Sequence, residues 1–123
     1  MATLNDRVFD SGLTVLETEA NRVDICSSEP TTYAAATSTL TLGNKTSISI
    51  SAPADASPNG RKVTLAAITN ASVTGTGTAT HYAITDTSSN RLLATGDLSA
   101  SQVVTSGNEF NLTSSDIRIP DPA

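Results

Sequence analysis

The chain has few of the residues that most often build enzyme sites and large hydrophobic cores. Its 123 residues include no tryptophan, two tyrosines, two phenylalanines, one histidine and one cysteine. Apolar burial must therefore come from Val, Leu, Ile and Ala, which bury less area per residue than aromatic side chains. A domain of this kind is expected to be only modestly stable alone, and partners in an assembly would add to its buried surface.

The single cysteine and the single histidine exclude several kinds of site. Cys26 cannot form a disulfide within the chain or a cysteine-based metal site. We expect it to be a small buried residue in a strand, with a disulfide between subunits as the alternative. His81 would have to serve any Ser-His or Cys-His machinery, but it is more simply a polar residue on the outer face of a strand. We therefore predict no catalytic residue, no cofactor and no metal ion.

Basic residues are also scarce, with seven Lys and Arg against twelve Asp and Glu and a formal net charge of -5. This balance argues against binding of a nucleic-acid backbone, which needs a basic face. No apolar run approaches the roughly 20 residues that span a bilayer, and the polar stretch after Met1 does not read as a signal peptide. We expect a soluble protein with no nucleic-acid or membrane partner.

The clearest local pattern is a β-hairpin over residues 80–98. Residues 81–85 alternate so that Tyr82 and Ile84 share one face, residues 86–90 are a polar turn, and residues 91–95 return. Further short strands, separated by turn residues roughly every ten positions, are typical of an antiparallel β-sandwich or jelly roll. They are predicted at 22–27, 39–42, 46–51, 62–68, 100–105 and 109–112, with a turn at 70–72. The segments 39–42 and 46–51, on either side of Gly43-Asn44, are either one bulged strand or a hairpin.

Residues 3–20 predict the one helix. Phe9, Leu13 and Leu16 fall on one face at helical spacing. Gly12 weakens the middle of this segment, so a shorter helix followed by a strand from Leu13 is the alternative.

Two further segments could contact neighbours. Residues 31–38, with Tyr33, read either as a short helical turn or as an arm lying on a surface. Residues 73–80 alternate Gly and Thr, which is expected where another element packs closely or where a strand bends, with a flexible exposed ribbon as the alternative. The threonines that share one face of this segment are Thr74, Thr76 and Thr78.

These patterns predict one domain, residues 1–123, that is mainly β. Residues 1–38 would hold the N-terminal helix, a strand and the possible arm. Residues 39–119 would form the β-sandwich. Residues 120–123 would form a tail, because Pro120 and Pro122 have no N–H to donate to a sheet.

The chain resembles small β-rich structural proteins encoded among the virion genes of tailed bacteriophages and prophages. In those proteins a strand, a Leu-Leu-x-x-Gly-x-Leu return and a Val-x-Ser-Gly-Asn/Asp-x-Phe hairpin follow one another. The stretches that carry the resemblance are HYAITD (81–86), RLLATG (91–96), LSASQVV (98–104) and SGNEF (106–110), with ATLNDRVFDSGL (2–13) and YAAATSTLTLGNK (33–45) before them. These motifs specify a β framework and no chemistry.

The resemblance implies a non-enzymatic virion protein that is made in the cytoplasm of a host bacterium. We predict a capsid decoration, or cement, subunit that forms homo-oligomers and contacts the major capsid protein. A neck, collar or tail (fibre) component that contacts neck or tail proteins is the nearest alternative, and a cell-surface or glycan-binding module is a more distant one. The candidate interface residues are Phe9, Leu13, Leu16, Cys26, Tyr33, Thr74, Thr76 and Thr78. Ordinary core packing is the competing interpretation of each, and it is preferred for the helix face.

Overall fold

The computed structural model describes residues 6–57 and 59–119, and over these ranges the chain is mainly β. A helix, α1 (Asp6–Glu19), comes first, and a π-helical turn (Ala35–Thr39) lies between the first two strands. The strands are β1 (Arg22–Cys26), β2 (Thr41–Thr46), β3 (Ala54–Asp55), β4 (Arg61–Leu65), β5 (Ile68–Val73), β6 (Gly77–Asp86), β7 (Arg91–Val104), β8 (Glu109–Leu112) and β9 (Ser115–Ile119). The predicted fold class, antiparallel β with a short N-terminal helix, is confirmed.

The described strands form two antiparallel sheets. One has six strands in the order β7-β6-β1-β2-β5-β8, and the other has three in the order β3-β4-β9. β1 pairs with both β6 and β2. The predicted division at residue 38, with the sheet starting at residue 39, therefore does not follow the hydrogen bonding, because a strand before that boundary lies in the middle of the sheet.

The six-stranded sheet must curl. β7 and β8 lie at its opposite edges, yet only residues 105–108 join them. In a flat sheet the outer strands would be about 24 Å apart, which is five inter-strand spacings. The connection from Val104 to Glu109 spans at most about 18 Å when fully extended. The two edges are consequently brought near each other, and side chains of both strands line a shared groove.

The two sheets and α1 share one hydrophobic core. From α1, Leu13 and Leu16 are buried against residues of both sheets, including Val63 and Leu65 of β4. A bidentate ion pair also ties α1 to β4, since Arg61 donates to both carboxylate oxygens of Asp10, at 3.0 and 3.1 Å. The helix face is thus occupied within the subunit, in agreement with the core-packing interpretation.

Of the two interpretations of the segments around Gly43-Asn44, the hairpin is wrong, because this pair lies in the middle of the single strand β2. The turn predicted at 70–72 is part of β5, where Asn70 has a φ of 55° and the pairing with β8 shifts between Ile68 and Ala71. Asn tolerates the left-handed region better than most residues, so the chain bends there without leaving the sheet.

Two glycines test this packing, because alanine substitutions at Gly43 and Gly12 should change the stability in opposite directions. A Cβ on Gly43 would lie 2.6 Å from the carbonyl oxygen of Ser72 and 2.9 Å from the Phe110 ring, whereas a Cβ on Gly12 would meet only Ile119, at 4.0 Å. We expect Gly43→Ala to lower the free energy of unfolding by about 1–3 kcal/mol through overpacking. Gly12→Ala should raise it by up to about 1 kcal/mol through helix propensity. Urea unfolding of both variants checks the pair, and equal effects would contradict the structure.

Candidate assembly interface

Residues 31–38 do not form an arm. Residues 35–39 make a π-helical turn in which Ala36 is fully buried and packs against Cys26 and Ala83 of the six-stranded sheet. The side chain of Thr32 begins this turn by accepting a hydrogen bond from the N–H of Ala35, at 3.0 Å. The arm interpretation is therefore wrong, and the helical alternative is correct. The turn covers the face of the sheet that lies opposite the main core.

Cys26 lies at this covered face, and Tyr33 comes just before the turn in the chain. Cys26 is 0% exposed, and its Sγ is 3.7 Å from the carbonyl oxygen of Ala36. Burial, with a smaller effect of Asp24, raises the pKa of the thiol to about 12. Tyr33 is half-buried. Of the predicted interface residues, Leu13, Leu16 and Cys26 are thus inside the subunit, and the side chain of Phe9 lies outside the described residues.

A buried carboxylate holds the middle strand in place. Asp24 is fully buried, and Arg22 donates to its two oxygens through Nε and Nη2, at 2.7 and 2.8 Å. Thr41 of β2 donates a third hydrogen bond to the same carboxylate, at 2.6 Å. The bond to Asp24 raises the pKa of Arg22 against the opposing effect of burial. Because each carboxylate oxygen has a partner, the charge is accommodated in the interior.

His81 links three segments of the same sheet. Its Nε2 is 2.8 Å from Oδ1 of Asp97 on β7, and its Nδ1 is 2.8 Å from the hydroxyl of Thr80. That hydroxyl donates to the backbone carbonyl of Ser27, at 3.0 Å. The proton of Thr80 is thus directed at the loop after β1 and away from the imidazole. Among the described residues, no three His, Cys, Asp or Glu side chains converge in a way that could hold a metal ion.

The Gly/Thr segment has one packed side and one exposed side. Cβ atoms on Gly75 and Gly77 would lie 3.5 and 3.3 Å from the Leu42 side chain, so the glycines allow this leucine to pack closely. The three threonines that alternate with the glycines are exposed. The hydroxyl oxygen of Thr76 accepts a hydrogen bond from the backbone N–H of Ser106. The backbone carbonyl of Thr74 accepts one from the hydroxyl of Ser106.

Val103, on β7, is the large apolar residue that the sequence reasoning missed as an interface candidate. Its side chain is 82% exposed, and it pairs across the strands with Thr78. Its neighbour Val104 is 8% exposed. Since successive side chains of a strand point to opposite faces, the adjacent pair Val103-Val104 required one of the two to point outward, and this was the available signal.

These exposed residues form one continuous feature, which we call the Val103 surface. It comprises Thr74, Thr76, Thr78, Val103 and Ser106. The two stretches that supply it, residues 63–80 and 98–108, contain no charged residue. A groove of about 330 Å³ opens beside it, between the edges of β7 and β8, and its lining includes the charged residue Glu109. The five residues of the Val103 surface itself can make apolar contacts and hydroxyl hydrogen bonds without desolvating a charge of their own.

No protein-family model, curated protein or solved structure matches the chain. The resemblance to phage virion proteins thus stays a prediction. Within the described residues, no helix combines the length and the apolar character needed to cross a bilayer.

Asp24→Asn tests the buried charge pair. The substitution removes the negative charge, and it places the NH₂ group of the new amide against an N–H group of Arg22, so that two donors face each other. The Arg22 side chain is only 21% exposed, so water can replace the lost partner only in part. We expect the free energy of unfolding to fall by about 2–3 kcal/mol. Arg91→Gln is the matched control, because Arg91 and Glu19 form an exposed pair at 3.8 Å, and it should cost less than about 0.5 kcal/mol. Similar losses of stability in the two variants would show that the buried Asp24–Arg22 pair contributes no more than the exposed Arg91–Glu19 pair.

Cys26 is expected to resist thiol reagents in the folded chain. Its thiolate is disfavoured because burial raises the pKa to about 12, so iodoacetamide at pH 8 should modify the chain only after denaturant unfolds it. Mass spectrometry of alkylated samples, with and without denaturant, checks this expectation. Rapid labelling of the folded chain would contradict the burial.

The raised pKa of Cys26 also predicts a pH dependence of stability. The unfolded chain releases the thiol proton at a lower pH than the folded chain, so the free energy of unfolding should fall as the pH rises from about 9 towards 12.

Proposed function

We propose that the chain is a non-enzymatic structural subunit of a phage virion and acts as a capsid decoration protein. The observation that carries the proposal is the Val103 surface, an exposed set of uncharged residues in which Thr78 and Val103 lie on the paired strands β6 and β7 and Thr74, Thr76 and Ser106 lie in the adjoining connections. The resemblance of residues 81–110 to virion proteins supports the same interpretation. The subunit would bind by burial and strand contacts, with the major capsid protein and neighbouring copies as its partners.

The energetics of such a surface suit a repeated assembly better than a single tight complex. Full burial of one valine contributes only about 1.5 kcal/mol or slightly more, and threonine hydroxyls add modest hydrogen bonds. A single contact of this kind is weak. A closed symmetric shell repeats it many times, and the linked contacts gain avidity.

A glycan-binding module is less well supported. Sugar-binding surfaces commonly present aromatic rings to solvent, but none of the aromatic side chains that the structure describes is fully exposed. Tyr82 and Phe110 are buried, and Tyr33 is half-buried.

Quantitative mass spectrometry of purified particles tests the proposal, with the copy number of this chain measured against the major capsid protein. A decoration subunit should be present at a ratio of about one, or in hundreds of copies per particle. About six to a few dozen copies would contradict decoration and point to a neck or tail ring. Absence from particles that survive gradient purification would overturn the virion assignment itself.

A further inference from the structure

The strand edges differ in how well they are protected from pairing or packing with another chain. Natural edge strands are usually short or carry charges that discourage association. Among the described strands, β8 has four residues and carries Glu109, and β3 has two residues and carries Asp55. β9 carries Asp116 and Arg118. β7 has 14 residues, and its second half, from residue 98, has no charge and exposes Val103.

We propose that a second copy of this chain covers the Val103 surface. The two copies would be related by a two-fold axis, with the Val103 side chain of each packed against that of the other. This inference deepens the proposed function, since it names the partner of the same surface. An isologous contact uses the same patch on both subunits, so the patch must be complementary to itself.

The chemistry of the patch meets this requirement. A valine is complementary to another valine, and a threonine hydroxyl both donates and accepts, so threonines can pair with threonines. A patch that carries charges of one sign cannot pair with its own copy without repulsion. Because the chain has a net charge of -5, two copies repel over most approaches, and the uncharged residues of the Val103 surface add no like-charge contact of their own.

The other exposed large apolar side chain among the described residues is in a less suitable place. Val15 is 37% exposed on α1. The same helix carries Asp10, Glu17 and Glu19. Two copies that met through this helix would bring carboxylates together, which disfavours self-association. Val15 therefore supplies a matched control for Val103.

Sedimentation equilibrium over a concentration series tests the proposal with Val103→Lys and Val15→Lys. The wild type should dimerise. Val103→Lys should raise the dimer dissociation constant about tenfold or more, since it removes two apolar contacts and places two ammonium groups at the axis. Val15→Lys should leave it within about twofold. A monomeric wild type at 1 mM (roughly the weak limit of a specific contact), or a larger effect of Val15→Lys, would overturn the proposal.

Cysteine cross-linking gives an independent readout. If the free edges of the two β7 strands pair antiparallel about the two-fold axis, residues that face each other have Cα atoms about 4.5–5.5 Å apart, within the range for a disulfide. Val103→Cys should therefore give a covalent dimer under mild oxidation, and Val15→Cys should not. The native Cys26 is buried and should give no background. If Val103→Cys stays monomeric while the thermal unfolding midpoint is unchanged, the proposal is wrong.

The two proposals fail in different ways. A chain that dimerises through Val103 but is absent from purified particles would refute the virion function and leave the dimer standing. A chain that is abundant in particles but monomeric in solution would refute the dimer and leave the virion function standing.

Discussion

The structure depends on a middle strand that is buried on both faces. Val23 and Ile25 of β1 face the main core, and Asp24 and Cys26 are buried on the other face. A carboxylate in that position is tolerated because Arg22 and Thr41 satisfy it with three short hydrogen bonds. The residues after β1 then fold over the sheet as the π-helical turn. The chain thereby gains a second small core without aromatic residues.

The distribution of charge separates two parts of the molecule. Ion pairs join α1 to β4 through Arg61 and Asp10, and β4 to β9 through Lys62 and Asp116. The stretches 63–80 and 98–108, which meet at the paired residues Thr78 and Val103, have no charge. Ion pairs thus hold α1, β4 and β9 together. The paired segments of β6 and β7 around Thr78 and Val103 instead expose hydroxyl groups, the unpaired edge of β7 and one valine side chain.

Local patterns could be predicted well, because they depend on neighbouring residues. The hairpin of β6 and β7 follows from the alternation around Tyr82 and the polar turn after Asp86, and α1 follows from the spacing of Leu13 and Leu16. The strand predicted at 22–27 also implies that Asp24 and Val23 lie on opposite faces, because successive side chains of a strand alternate. That a helical turn would cover this second face was not predictable, because the cover depends on contacts between Ala36 and strands that are distant in sequence.

Long-range pairing was the part that sequence patterns could not supply. The position of β1 between β6 and β2, and the separation of β7 from β8, are set by which edges meet in three dimensions. The candidate interface shows the same limit. Thr74, Thr76 and Thr78 could be predicted as one exposed face, but Val103 joins them only through the register of β6 with β7.

The described core of the fold is closed within one chain, and we propose that the Val103 surface is covered only when two chains associate. Amide hydrogen exchange, followed at concentrations below and above the dimer dissociation constant, tests this claim most directly. Amides of β1 should be strongly protected at both concentrations, because they open only when the sheet does. Amides of residues 98–104 should gain protection only at the higher concentration. Unchanged exchange in residues 98–104, with new protection in α1 instead, would contradict the account.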